Sequence, residues 1–427
     1  MKLKIYTLVL LVFLLSACQS QPAFNPTPVI LPTAAAQTAT PTAVSLPPMS
    51  TSVNPPTSAL TSIPTQPVVW KNNLERILKS PCLEVLPGLT EYVQINYDFV
   101  VKGDQGYFVL DPVSQQKTSM KSPHPTIKFS PDGKWVAYLS GGTLMVEPVE
   151  NLIKADHKQR IEWKKYDYIQ LIGWLSGDKI ILIRKDEKRS ASTIIYNPIT
   201  QDDHVYFLED FPKAKSFTMT STIMPYMFTQ YNLLPSPTLK QMIFVGNETD
   251  NFSNVSLWDI KSNKILGKLS PFMKYIGNDP IWSHDGSDFV MASDWFDWYQ
   301  VKNDGKVRQL TRFGDFLERV IFINASRSSD GRYLSFELIY KTLDGVEGQK
   351  YLILDLKTDA ADGFCVEAAP HDNPDFHTMI WSPDSKYLAI SDVTYQTLGN
   401  VILVDVDKKQ SYLMTKDASV KGWLVKP

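Results

Sequence analysis

Cysteine, histidine and long apolar runs are all scarce in this chain. Three cysteines and six histidines stand among 427 residues, which leaves little material for a disulfide-rich scaffold or a multi-histidine metal centre. The one continuous apolar run, Leu8 to Leu15, is too short to span a bilayer. No G-x-S-x-G, H-E-x-x-H, C-x-x-C, P-loop or G-x-G-x-x-G is present, so the usual local templates for hydrolases, zinc proteases, thiol redox enzymes and nucleotide-binding proteins fail. An excess of one charge is missing as well. Lys and Arg number 43 against 45 Asp and Glu, a formal balance of −2, and the densest basic run, Lys185 to Arg189 (KDEKR), is interleaved with acid. Such a chain has neither a nucleic-acid-binding stripe nor a polybasic membrane patch.

Between Lys4 and Lys71 there is no charged residue at all. Lys2 and Lys4 precede the apolar run, which ends in Leu15-Ser16-Ala17-Cys18. A basic start, a short apolar core and a small-residue site are the parts of a secretory signal. These last four residues match the bacterial lipobox, which implies cleavage before Cys18 and lipid attachment there. Residues 1–18 are therefore expected to be a lipoprotein signal peptide. Residues 19–68, dominated by Pro, Thr, Ser and Ala, bury too little apolar surface to offset ordering entropy and are expected to form a disordered tether. Residues 69–91 form a lead-in segment. There Leu74, Ile77 and Leu78 fall at helical spacing and Ser80-Pro81 would stop the helix. The expected location is extracytoplasmic, on the cytoplasmic or the outer membrane, with the membrane reached through lipidated Cys18.

From residue 92 onward one pattern recurs: an apolar strand ending in an aromatic or apolar residue, then a tight polar turn. The clearest copies are IKFSPDGKWVAYLS (Ile127 to Ser140), PIWSHDGSDFVMAS (Pro280 to Ser293), SRSSDGRYLSFE (Ser326 to Glu337) and MIWSPDSKYLAISD (Met379 to Asp392). With the weaker copies they set anchors at Ser130, Leu175, Ser236, Ser283, Ser328, Ser382 and Leu424, spaced by 45, 61, 47, 45, 54 and 42 residues. A four-stranded propeller blade takes about 40–50 residues. Within one repeat, Phe289 to Met291, Trp298 to Val301 and Val307 to Leu310 supply the second, third and fourth strands, the last after an Asn303-Asp304-Gly305 turn. Residues Tyr92 to Lys117 read as later strands without an anchor, and Gly422 to Val425 as an anchor strand with nothing after it. Together they would complete one blade and remove an exposed sheet edge. The expected fold is all-β over 92–427, a propeller of four-stranded blades, seven in number with six or eight as alternatives, closed by pairing of the N- and C-terminal strands.

The S-P-D-G copies resemble the repeat of TolB-family β-propellers, also found in the non-catalytic propellers of prolyl-oligopeptidase-type enzymes. The resemblance covers most of 92–427 and implies a fold. It implies no particular activity, because the motif serves strand pairing and the turn.

With Cys18 assigned to lipid, Cys82 and Cys365 remain, and two leftover cysteines in an oxidising compartment commonly pair; two separate buried thiols are the alternative. Blade topology puts the loops between strands two and three, and those between blades, on one face. That face would carry Ser293 to Asp297, the 208–233 insertion, Leu343 to Gln349 and the loop from Cys365 to His377. Asp294, Trp295, Phe296 and Asp297 combine aromatic and acidic groups suited to a sugar ring or a peptide, whereas Trp298 and Tyr299 read better as rings packed between blades. Asp279 and Asn324, with Thr126, Asn232 and Thr378, fall near the mouth of the central channel. His371 to His377 holds two imidazoles and two carboxylates, but its Asp, Asn and Pro equally suit a connecting loop, so no metal and no cofactor is assigned. The function expected is non-catalytic binding or scaffolding of a protein or glycan. The alternative is a propeller enzyme acting on carbohydrate or cell-wall material through carboxylates such as Asp279, Asp294 or Asp375.

Overall fold

The computed structural model describes residues 67–426 apart from 81, 90–94, 122–123, 125–126, 155, 157–158, 166–168, 185–191, 208–232, 249–251, 269–279, 294–295, 367–377 and 392–397. Helix α1 (Pro67–Lys79) is followed by two short strands, β1 (Cys82–Leu83) and β2 (Val85–Leu86). Then come β3 (Tyr97–Gly103), β4 (Gly106–Leu110) and β5 (Lys117–Ser119). Next are β6 (Ile127–Phe129), β7 (Trp135–Ser140), β8 (Thr143–Pro148), helix α2 (Val149–Lys154) and β9 (Ile161–Lys165), then β10 (Ile169–Ser176), β11 (Lys179–Arg184), β12 (Ser192–Tyr196) and β13 (Asp203–Phe207). After these run β14 (Leu233–Pro235), β15 (Gln241–Glu248), β16 (Phe252–Asp259) and β17 (Lys264–Lys268), then β18 (Ile281–Trp282), β19 (Asp288–Ala292), β20 (Trp298–Lys302) and β21 (Val307–Gln309). The chain ends with β22 (Leu317–Arg327), β23 (Tyr333–Thr342), β24 (Glu347–Asp355) and β25 (Ala361–Val366), followed by β26 (Thr378–Trp381), β27 (Tyr387–Ser391), β28 (Gly399–Asp405) and β29 (Gln410–Val425).

Each run of four consecutive strands from β6 to β25 forms its own sheet in sequence order, and all of these neighbours pair antiparallel. Along the run β22, β26, β29, β6 and β10 the first strands lie against one another, which puts them at the centre. The architecture is a β-propeller.

The repeated sequence now has a physical meaning at each position. Ser130 is buried, its hydroxyl accepts the Trp135 N–H at 2.9 Å and donates to Asp132 Oδ1 at 2.6 Å. Ser328 with Asp330 and Ser382 with Asp384 repeat this geometry. A buried hydroxyl with both partners supplied by its own turn closes the hairpin between first and second strand without borrowing from the sheet. Gly133 sits at φ +70°, and a Cβ there would lie 2.6 Å from the Trp423 carbonyl oxygen, so the position needs glycine for conformation and for space. Ser176 bonds Asp178 Oδ1 at 2.8 Å in the same way. It is Ser176, not the expected Leu175, that corresponds to Ser130, because β10 carries a register irregularity between Trp174 and Ser176.

Near the end of four first strands a tryptophan joins neighbouring sheets. Trp174 Nε1 donates to the Lys128 carbonyl at 2.9 Å, Trp282 to Leu234 at 3.2 Å, Trp381 to Ser326 at 3.3 Å and Trp423 to Ile380 at 3.2 Å. In all four the acceptor is the residue before the strand-end position of the preceding repeat. Arg327, which stands at that position after Trp282, reaches back instead to Asp288 Oδ1 at 2.5 Å. A strand-end indole thus contributes apolar area between sheets and one directed bond.

The chain ends meet as expected. β29 pairs β28 through residues up to Ala418 and pairs β3 antiparallel from Ala418 to Val425. One 16-residue strand therefore ends one set of strands and begins another that contains β3, β4 and β5. The lead-in segment is more deeply built in than its sequence suggests. Trp70, Leu74 and Ile77 of α1 enter the core shared with Trp298, Phe313, Phe322 and Phe336. β1 then adds a parallel fifth strand beside β25, with Cys82 opposite Cys365, and β2 adds in parallel to β29 at Ser411 and Tyr412.

Candidate binding face

Propeller topology sends the loops joining second and third strands to the face opposite the serine turns. Three of the exposed large apolar side chains stand on such loops: Phe296 between β19 and β20, and Leu343 (74% exposed) and Val346 (56%) between β23 and β24. Ile199 stands on the other face, between β12 and β13, while Val205 and Leu266 lie on fourth strands.

Phe296 is held from beneath. A Cβ on Gly314 would come within 2.7 Å of the Phe296 Cβ, so the 3-10 turn Phe313–Asp315 offers the ring a surface only because position 314 has no side chain. Asp297, its neighbour, faces the interior. Its Oδ1 accepts the Thr311 hydroxyl at 2.9 Å and the Phe313 N–H at 2.7 Å, and Oδ2 accepts from Gln309 Nε2 at 3.3 Å. Thr311 Oγ1 in turn accepts the Trp298 N–H at 2.8 Å. Burial raises the Asp297 carboxyl to about 7, against the opposing pull of these donors. The carboxyl ties the β19–β20 loop to the turn that supports Phe296. Trp298 is fully buried between Phe322 and Phe336, with ring centroids at 5.5 and 5.4 Å, which places it in the core as expected.

Asn324 lies on the inner strand β22 in the left-handed region, φ 56°, within a bulge between Ile323 and Ser326. Its Nδ2 donates to Glu337 Oε2 at 3.1 Å, and Gln349 donates to the other oxygen of this fully buried carboxylate. Two more inner strands are bulged at nearly the same height, β10 between Leu171 and Gly173 and β29 between Val420 and Gly422. A bulge re-aims the inserted residue, here Ile172 and Lys421, and is a common device beside binding sites. Sequence periodicity over such short inner strands does not show these bulges. Asp279, Asp294, Trp295, Asp375, Thr126, Asn232, the 208–232 stretch and His371 to His377 lie outside the described residues, as do Cys18 and the tether. Among the described residues no group of three or more His, Cys, Asp or Glu is placed to hold a metal ion.

Sheet order, central first strands and serine turns define a β-propeller with a TolB-like repeat. No family model matches the chain, and no curated protein matches it. Among solved structures it is similar to TolB from Acinetobacter baumannii (15% identity, 74% of this chain and 78% of that one, TM-score 0.39). It is also similar to an oligogalacturonate lyase in complex with manganese (9%, 78% and 86%, TM-score 0.48) and to puromycin hydrolase (9%, 81% and 55%, TM-score 0.45). These neighbours include enzymes, so likeness of fold leaves activity undetermined.

Proposed function

We propose that this protein is a lipid-anchored, extracytoplasmic β-propeller that binds a protein or a glycan through the face carrying its second-to-third-strand loops, without catalysis. The observation that carries the reading is the set of exposed apolar side chains on that face, Phe296, Leu343 and Val346, one of them braced by a purpose-shaped turn at Gly314. Exposed rings held rigidly lose little entropy on contact and dominate binding energy when they enter a pocket or stack on a sugar. Asp297 fits the reading as a support of the loop, since its carboxylate is occupied internally. The anchor rests on the Leu15-Ser16-Ala17-Cys18 motif and the charge-free stretch behind it, which would hold the domain away from the membrane on a flexible tether. We further propose a ring of seven blades, with β29 shared by two of them, and a disulfide between Cys82 and Cys365.

The test is a binding assay against a glycan array, purified bacterial wall polysaccharide and a displayed peptide library. Phe296→Ala, or Leu343→Ser with Val346→Ser, is expected to weaken the captured ligand at least tenfold, about 1.4 kcal/mol or more, with the melting temperature nearly unchanged. Ile199→Ser on the other face should bind as the parent does. Equal loss in all three variants, or turnover of the polysaccharide, would overturn the reading.

A further inference from the structure

Lys421 is the residue inserted at the β29 bulge, between Val420 opposite Val101 and Gly422 opposite Val100. It is half-buried. Two more lysines stand on adjoining strands, close enough for their charges to act on it. Lys102 lies on β3, opposite Ser419, and Lys128 lies on β6, the neighbouring first strand, whose Phe129 is so close that a Cβ on Gly422 would come within 2.8 Å of it. Lys102 also stands over the Tyr107 ring at 5.9 Å. Among the described residues none of the three lysines makes an ion pair; the carboxylates at the end of this strand, Asp98 and Asp111, are both taken by Lys426 at 3.4 and 3.0 Å. The Ser419 hydroxyl is buried without a hydrogen-bond partner among the described residues, on the face of the β3–β29 pair that Lys102 shares.

Three lysines on adjoining strands, one of them half-buried at a bulge, with an unpartnered buried hydroxyl opposite Lys102, form an arrangement that disfavours itself. Burial and the charges of Lys102 and Lys128 hold Lys421 below the ordinary lysine range. Surface lysines avoid such a cost by extending into solvent or pairing. An anion bound among them would remove both the repulsion and the unsatisfied donor, as phosphates and carboxylates do when held by clustered cations.

We propose that the inner strands β29 and β6, with the second strand β3, hold a site for a small oxyanion-bearing ligand, phosphate or carboxylate, with Lys421 and Lys128 as its charge partners, Lys102 beside them and Ser419 as a hydroxyl donor. This locus lies in a different set of strands from the one that carries Phe296 and the one that carries Leu343 and Val346, and does not depend on them.

The experiment measures thermal unfolding and calorimetric binding of the full extracytoplasmic chain with inorganic phosphate, with citrate, and with chloride at matched ionic strength. Phosphate or citrate should stabilise the parent where chloride does not, and whichever acts reports the class of anion. Lys421→Met should lose that binding at least tenfold, yet be no less stable than the parent in anion-free buffer, because it removes a half-buried unpaired charge. Lys128→Met, on a more exposed residue, should weaken binding less and keep the fold, and Lys134→Met, on a serine turn, should change nothing. Indifference of the parent to both anions, full binding by Lys421→Met, or a large loss of stability in that variant without anion would overturn the proposal.

Discussion

At the scale of single residues, Asp297 shows how a side chain that looks like part of a ligand site can instead be the joint that builds one. Of its two neighbours Phe296 is 36% exposed and Trp298 is wholly inside. The sequence Asp-Trp-Phe-Asp-Trp does not show which ring faces solvent, because the loop leaves strand alternation at Ser293 and regains it at Trp298. Trp298 could be read as core because it opens a strand, and it is. The inward turn of Asp297 was not legible, since its partners Gln309, Thr311 and Phe313 lie 12 to 16 residues away. A carboxyl raised to about 7 by burial has a defined effect on stability. As pH climbs from about 4 to about 7 the unfolded chain gives up this proton while the folded chain keeps it, so stability falls across that window, by on the order of 4 kcal/mol, and levels off above it. Asp297→Asn should flatten the parent's stability curve between these limits, as read from urea midpoints at several pH values. Parallel curves for parent and variant would show that Asp297 titrates alike in both states.

At the scale of elements, the strands carrying turn residues at fixed offsets were legible, and the elements lacking periodicity were not. The strands around Phe289, Trp298 and Val307 fall where alternation and the Asn303-Asp304-Gly305 turn put them. In the lead-in, the spacing of Leu74 and Ile77 marks a helix, and α1 buries both. But β1 and β2 are two residues each, and a parallel pair that short has no pattern to detect. Their pairings make this segment a clasp over two sheets, with Arg76 donating to the Ala361 carbonyl at 2.9 Å and Lys350 to that of Ser80 at 2.6 Å. In the β1–β25 register Cys82 stands opposite Cys365. A bond between these two would close a loop of about 280 residues, for which the chain-entropy relation gives roughly 5–6 kcal/mol before any native-state strain. Peptide mapping of protein extracted from membranes addresses both cysteine proposals. The expected result is a Cys82–Cys365 cross-linked peptide, destroyed by reductant, and a fatty-acylated N-terminal Cys18. Freely alkylated Cys82 and Cys365, or an unmodified peptide running through Cys18, would contradict them.

At the scale of the whole molecule, the meeting of the two ends of the strand repeat was visible in the sequence, because Gly422 to Val425 is an anchor strand with no successors and Tyr92 to Lys117 read as successors without an anchor. What could not be foreseen is that β29 runs without a break from one set of strands into the next. Closure matters because it covers the edge that β3 would otherwise expose and sets the faces on which the loops and turns lie. The most direct test uses the last register pair of the closing strands, Tyr97 opposite Val425. Antiparallel partners have Cα atoms about 4.5–5.5 Å apart, within the span a disulfide needs. Tyr97→Cys with Val425→Cys should form an intramolecular disulfide in nearly all molecules under mild oxidation, shown by intact mass and faster mobility without reductant, and should raise the melting temperature. Two thiols that stay alkylatable, or that link separate molecules, would mean that the chain ends do not meet and that the ring is not closed in this way.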